Sequence, residues 1–278
     1  MPSTHRIGLA PAGSGHPRVR QFRNIKHNRG RNAAGSVALE GLWAIRHALD
    51  ASLPIEVVFV CSTLLRGDDG RRLVDELCAA GTTALEVSER VLGRLVDRDG
   101  PAGLAAIAHL STCRLDDLAV GETSRIVVAD GFELAGNLGT LVRCADGAGA
   151  AGLVVTDRRI RLTHPLVLKA SVATVFSMPL VDAGRAEALG WLRTHRFRVI
   201  AGDPGAPVSY RDADYRGRVA IVLGNERYGL ARFWVAAADL GVSIPMLGVA
   251  DSLNVTHAAA LLLYEALHQQ RGTSGDGG

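Results

Sequence analysis

The sequence predicts an α/β protein of two domains, and three observations carry that expectation. Apolar, β-branched runs recur at 55–60, 105–110, 125–130, 152–157, 198–201, 219–223 and 242–246, with helix-period segments between most of them. The stretch 111–124, "STCRLDDLAVGETS", is polar, acidic and turn-rich beside its flanks, which marks a boundary. A chain of 278 residues, 47% of them hydrophobic, has enough apolar material for two ordinary cores.

Taken in order, Gly, Pro and Ser dominate residues 1–17, which are expected to be an unstructured tail. Residues 18–112 form the first domain. Within it "SVALEGLWAIRHALDASLPIEVVFVCS" reads as a helix feeding a buried strand, followed by a helix near 71–80 and a further α/β stretch, "TALEVSERVLGRLVDRDGPAGLAAIAHL". Residues 113–124 are the expected linker, 125–271 the second domain, and 272–278 a second unstructured tail.

Composition narrows the classes of function. No apolar run approaches the roughly 18 residues of a membrane span, and the N-terminus lacks the basic-then-apolar order of a signal peptide, so a cytoplasmic protein is expected. Cys61, Cys78, Cys113 and Cys144 are far apart and match no metal-ligand spacing, and the nine histidines form no zinc motif. No metal centre is expected.

The net charge of +3 is unevenly spread: residues 1–39 carry seven Arg or Lys and no acid, which leaves the rest of the chain at −4. In "RVRQFRNIKHNRGR", Arg18, Arg20, Arg23, Lys26, Arg29 and Arg31 alternate with Phe22, His27 and amide side chains, a pattern suited to RNA phosphates with some base or sugar contact.

An apparent dinucleotide fingerprint, Gly147, Gly149 and Gly152, ends a helix and enters a strand, the reverse of the phosphate-binding order, so these glycines are assigned to a helix end and a turn. Three other stretches place a glycine- or amide-containing turn after a strand: "VVADGFELAGNLGTLVRCADG", "VAIVLGNERYGL" and "SIPMLGVADSLNVTHAAALLLYEAL". Ligands of open α/β sheets bind at the carboxyl ends of strands, where three such turns can share one pocket. Each has a purely structural alternative: Asn137 as a helix cap, Arg143 as a solvated arginine, Gly224-Asn225-Glu226 as a turn, and Asp251, Ser252 and Asn254 as competing caps.

Together, "NLGTLVR", "LGNERYGL" and "IPMLGVADSLNVTHAAALLLYEAL" resemble the three motifs of the SpoU/TrmH-type RNA 2′-O-ribose methyltransferases of the SPOUT class, over about residues 125–270. More weakly, "LEGLWAIRHAL", "IEVVFVC" and "DGPAGLAAIAHL" resemble the ribosomal-protein-like substrate-binding domain that precedes many of these enzymes, including the thiostrepton-resistance type. The resemblance implies a deep trefoil knot beside a parallel sheet, S-adenosylmethionine bound bent at the knot, and a homodimer whose active site uses both subunits.

By the same resemblance, Arg143 engages the ribose hydroxyl and Asn137 shapes the site around it. Glu226 holds the site and the dimer partner together, and Gly224 and Asn225 let the backbone approach the cofactor. Ile244, Met246 and Leu253 flank the adenine, Ser252 and Asn254 complete a polar wall near the methyl donor, and Leu223 and Ala201 are cofactor contacts by their place at strand ends. In "LKASVATVFSMPLV", Lys169 is a candidate phosphate contact and Ser171 a cap or substrate contact. Val172 stands where some resistance enzymes carry a basic residue, and His257 replaces a commoner aliphatic one. The activity implied is 2′-O-methylation of RNA, with large-subunit (23S) ribosomal RNA favoured by the large N-terminal domain and antibiotic resistance as one role. The alternatives are a tRNA 2′-O-methyltransferase and a non-catalytic RNA-binding factor in ribosome assembly.

Overall fold

The computed structural model describes residues 9–29, 35–65, 67–97 and 103–272. The chain divides into two compact units, Met1–Ser111 and Thr112–Gly278.

In chain order the first unit contains β1 (Ala10–Pro11), α1 (Pro17–Lys26), β2 (Ser36–Glu40), α2 (Gly41–Asp50), β3 (Ile55–Val60), α3 (Gly67–Ala79), β4 (Thr83–Glu86), α4 (Glu89–Leu92) and β5 (Leu104–His109). The strands form one mixed sheet in the order β1-β4-β3-β5-β2. Helix α1 starts with Pro17, whose missing N–H costs nothing there, and His16 caps it by accepting from the Arg18 amide at 3.2 Å. Val19, Phe22 and Ile25, spaced by three, form its buried stripe, and Phe22 meets Phe59 edge-on with ring centroids 5.7 Å apart.

Three expectations are corrected in this region. "SVALE" is a strand, antiparallel to β5, because its alternating Val37 and Leu39 are buried; the helix begins only at Gly41, where φ is +86°. Residues 10–17 are ordered rather than tail: β1 pairs with β4, Ala12 is buried, and Pro17 opens α1, while residues 1–8 lie outside the described residues. The stretch 113–124 is part of the second unit rather than a linker, since Leu115 and Leu118 are buried in its core around a short 3-10 turn at Leu115–Asp117.

The second unit continues with β6 (Arg125–Asp130), α5 (Ala135–Gly147), β7 (Gly152–Thr156), α6 (Pro165–Ser171), β8 (Leu180–Asp182), α7 (Arg185–Thr194), β9 (Arg198–Gly202), β10 (Val208–Ser209), β11 (Val219–Leu223), α8 (Arg232–Ala237), β12 (Leu240–Ser243) and α9 (Val255–Gly272). Its seven described strands run parallel in the order β10-β12-β9-β11-β6-β7-β8. β7 and β11 are buried along their whole length, and β6 at every residue after Arg125, as strands covered on both faces must be. The order builds outward from β6 through β7 to β8, and β11 and β9 then fall on its other side. This change of direction is the switch point that leaves a crevice at the carboxyl ends of an α/β sheet. Gly147, Gly149 and Gly152 end α5, turn at φ +64° and open β7, as their order in the sequence predicts. Among the described residues no helix is long and apolar enough to cross a membrane, and all four cysteines are free thiols.

Candidate active site at the carboxyl ends of the parallel strands

At that crevice lies a cavity of about 520 Å³, within the usual range for small-molecule sites. All three expected turns reach it. Leu134 and Asn137 come from the turn after β6, Leu223, Gly224, Asn225 and Glu226 from the turn after β11, and Ile244, Met246, Ser252, Leu253 and Asn254 from the chain after β12.

The turns are joined by hydrogen bonds. Helix α5 begins after Leu134, which supplies no side-chain cap, so its first amides need acceptors from elsewhere. Glu226 supplies one for the cap residue and holds the residue before it, across 92–93 residues of sequence: Oε1 accepts from the Leu134 amide at 3.4 Å and Oε2 from the Glu133 amide at 3.2 Å. A carboxylate at a helix N-terminus also meets the favourable end of the helix dipole. Asn137 sits in the first turn of α5 rather than at its cap, and its Nδ2 donates to Glu226 Oε1 at 3.1 Å. Its Oδ1 accepts from Asn254 Nδ2 at 3.4 Å, which closes a chain of contacts through all three turns.

Asn254 is also the cap of α9. Its Oδ1 accepts from the Thr256 amide at 2.9 Å and from the Thr256 hydroxyl at 2.7 Å, which accounts for a buried threonine in an otherwise apolar helix start. Of the three competing caps, only Asn254 holds the helix. Asp251 and Ser252 are exposed, bonded to each other at 3.2 Å, and both line the cavity. His257 points to solvent.

The turn after β11 is rigid. Asn225 and Gly229 exchange backbone hydrogen bonds of 2.9 Å, Asn225 Oδ1 accepts from the Arg227 and Tyr228 amides, and Asn225 Nδ2 donates to the Gly131 carbonyl at 2.7 Å. A Cβ on Gly224 would lie 2.4 Å from the Gly229 backbone, so this close approach requires glycine. Below the turn, Asp130 is buried at the end of β6, where it accepts from the Thr156 hydroxyl and the Arg185 Nε at 2.7 Å each. The hydrogen bond that Arg185 donates to Asp130, with the charges of Asp130 and Asp157, raises the Arg185 pKa above its usual value against the opposing effect of burial. The sequence reading missed this support, whose only signal was an acid ending a buried strand.

Two expected residues are placed elsewhere. Ala201 is buried inside β9, paired with Val222 and Gly241, and it is the next residue, Gly202, that lines the cavity with Asp203 and Pro204. Sequence periodicity ends that strand one residue early. Arg143 is exposed on α5 and absent from the cavity lining: six residues of helix carry it about 9 Å along the axis from Asn137 and around the helix.

Lys169 is exposed, whereas Ser171 is buried and donates to the Leu168 carbonyl at 3.0 Å, so its hydroxyl ends α6 rather than facing a ligand. Val172 and Ala173 follow with φ of +50° and +62°, conformations that β-branched residues rarely adopt. Helix α6 comes close to α5 at Gly139, where a Cβ would lie 2.5 Å from the Val167 carbonyl oxygen.

In the first unit Arg18, Arg20, Arg23 and Arg29 are exposed, and Arg18 pairs with Glu56 at 3.0 Å. Lys26 is corrected to a structural role: its ammonium is half-buried against Glu40 at 2.9 Å, Asp97 at 3.0 Å and the Leu95 carbonyl at 2.7 Å. Phe22 is in the core and offers no face to a base, because the helix turns every third residue inward. Arg31 lies outside the described residues.

A parallel sheet with a ligand-sized crevice at its switch point, walled by an interlocked carboxylate and two amides, defines the class as an α/β small-molecule-binding enzyme fold. The chain belongs to the SpoU rRNA methylase family, whose model matches residues 124–264, and the MRM3-like substrate binding domain model matches residues 16–106. It is 28% identical over 270 residues to the 23S rRNA (uridine(2479)-2′-O)-methyltransferase of Streptomyces viridochromogenes, covering 92% of this chain and 91% of that one. Among solved structures, an RNA 2′-O ribose methyltransferase superposes with a TM-score of 0.78 at 37% identity, covering 94% of this chain and 99% of that one. An AdoMet-bound rRNA methyltransferase from Sinorhizobium meliloti gives a TM-score of 0.84 at 28% identity, covering 94% and 97%.

Proposed function

We propose that this chain transfers a methyl group from S-adenosylmethionine to a ribose 2′-hydroxyl of 23S ribosomal RNA. The observation that carries the reading is the Glu226–Asn137–Asn254 chain of hydrogen bonds walling the cavity of a SpoU-family chain. The cavity suits the cofactor: apolar Leu223, Leu230, Ile244, Met246 and Leu253 offer walls for a planar base, and the carboxylates of Asp203, Asp251 and Glu226 offer a favourable field for a cationic donor. Bound there, the cofactor supplies an electrophilic methyl group.

The protein's part is placement and proton removal, since the 2′-oxygen must approach in line and lose its proton as the new C–O bond forms. Asn137 and Asn254 present amides along the wall, and Glu226 fixes Asn137 while capping α5. Arginine stays protonated in proteins and makes a poor base, so Arg143 orients the hydroxyl or an adjacent phosphate. The homodimer with shared sites that the family resemblance implies is part of this reading, and it is supported by Arg143 lying outside the lining of its own cavity, which leaves it free to serve the cavity of a second copy. A threaded C-terminal segment belongs to the same reading: after β12 the chain returns across the cavity, and Ala258 and Leu262 of α9 line it beside Gly202 and Leu223.

The N-terminal unit presents folded RNA to this site through Arg18, Arg20, Arg23 and Arg29, by shape and phosphate contact. The cytoplasm is the compartment this substrate implies. Ribosomal RNA is favoured over tRNA because a whole-length relative is named for 23S RNA. Calorimetry with S-adenosylmethionine tests the catalytic reading against that of a non-catalytic assembly factor: saturable binding is expected, and no binding with or without RNA contradicts it. A methylated ribose in a drug-binding region of the large-subunit RNA would extend the role to antibiotic self-protection.

A further inference from the structure

The amino-terminal ends of β9 and β11, opposite the cavity, carry a second chemical feature. Arg193, Arg196, Arg198, Arg216 and Arg218 surround a depression of about 580 Å³ whose floor is Phe197 and Gly217. They come from the end of α7, the start of β9 and the turn before β11. The same two strands end at the cavity, so five residues at about 3.3 Å each separate the two features by roughly 15 Å.

Among the described residues two carboxylates answer these five guanidinium groups. Asp239 is held by Arg193 at 2.6 Å and also accepts from the Val199 amide at 2.7 Å, while Asp214 is shared by Arg198 at 3.2 Å and Arg216 at 2.8 Å. Arg218 donates to the carbonyls of Gly121 and His195 at 2.9 Å each, which orient it without cancelling its charge. Arg196 is exposed, with no ion pair or hydrogen bond from its side chain among the described residues, and its φ is +57°. The surplus is three positive charges, and the bonded arginines are fixed in place, so little side-chain entropy remains to be lost on binding an anion.

We propose that this arginine cluster is a second RNA docking surface, gripping the phosphate backbone of a helical segment of the same folded substrate whose target ribose sits in the cavity. Fixed guanidinium groups over an apolar floor match phosphates by charge and by their forked geometry, and they carry no means of reading base sequence. The inference rests on the proposed RNA substrate. It adds a contact that neither the cavity nor the N-terminal unit provides.

The test uses the full-length protein with Arg196→Glu, Arg196→Lys and the double variant Arg196→Glu/Arg216→Glu. Among the described residues the Arg196 side chain makes no bond to lose, and glutamate inherits the same backbone conformation, whereas Arg216→Glu gives up the ion pair with Asp214; thermal melting checks that each variant folds. Binding to 23S ribosomal RNA is measured by filter retention across a salt series. The expected result is an affinity loss of about tenfold for Arg196→Glu, more for the double variant, with the salt slope reduced by about one to two. Arg196→Lys keeps the slope, and the affinity for S-adenosylmethionine is unchanged in all three. RNA affinity and slope equal to wild type in the double variant overturn the proposal, including the case in which the patch serves a protein partner. Because binding is read directly, this outcome is separate from failure of the proposed activity, which shows as an RNA-binding wild type that methylates nothing.

Discussion

Glu226 Oε1 accepts from Asn137 Nδ2 at 3.1 Å, and the same carboxylate accepts from the amides of Leu134, the capping residue of α5, and of Glu133 before it. One side chain thus starts a helix and fixes the amide on the cavity wall.

Removing either partner is therefore expected to have unequal effects. Asn137→Ala deletes its bond to the Glu226 carboxylate, worth about 1–3 kcal/mol, and the longer one from Asn254, and should lower kcat/KM by about 10- to 100-fold with a smaller fall in Tm than Glu226→Ala. Glu226→Ala also uncaps α5 and should lower Tm by roughly 2–4 °C for each kcal/mol lost. Melting curves and single-turnover rates check both. Equal Tm values for the two variants would contradict the capping role.

Gly224 and Gly202 both line the cavity but should differ when changed to alanine. A Cβ at Gly224 meets backbone at 2.4 Å, whereas one at Gly202 meets the ends of the Leu223 and Leu262 side chains at 3.1 Å and 3.2 Å. Gly224→Ala is expected to weaken cofactor binding by more than tenfold, since a loss above about 1.4 kcal/mol suffices, and Gly202→Ala by less. Isothermal titration with S-adenosylmethionine separates them.

Arg143→Ala is expected to abolish methylation and keep cofactor binding. Mixed with Asn254→Ala, it should regain activity if the proposed homodimer shares its sites, because a mixed dimer would then assemble one site with both groups intact. No recovery in a mixture that exchanges subunits would place Arg143 outside a shared site.

Asp239 gives the second unit an acid-sensitive tie. Burial opposes its ionisation, but the hydrogen bond from Arg193, the Val199 amide and the charges of Arg193 and Arg198 outweigh that and hold its pKa below the ordinary 3.8. A depressed folded-state value means that stability is fully present above the unfolded pKa and lost as pH falls through the folded one. Asp239→Asn should be less stable than wild type at neutral pH, and the difference should shrink in acid below about pH 4. A difference constant from pH 7 to pH 3, read from Tm, would contradict this.

Five of the seven described parallel strands and the three turns are legible in the sequence because buried strands are continuous β-branched runs and the turns after them need glycine or amides. The strands at Ser36–Glu40, Thr83–Glu86 and Leu180–Asp182 were missed because they are short and take their identity from partners distant in sequence. Asn137 looked like a cap because its true substitute, Glu226, lies 89 residues away. Lys26 looked like a phosphate ligand because sequence cannot show that Glu40 and Asp97 already hold its charge.

The most direct test of the account incubates the protein with 23S ribosomal RNA and methyl-labelled S-adenosylmethionine, followed by alkaline hydrolysis. A methylated 2′-oxygen cannot attack its neighbouring phosphate, so the account expects the label in one alkali-resistant dinucleotide. Label released in mononucleotides, or no label from a preparation that binds both cofactor and RNA, would contradict it.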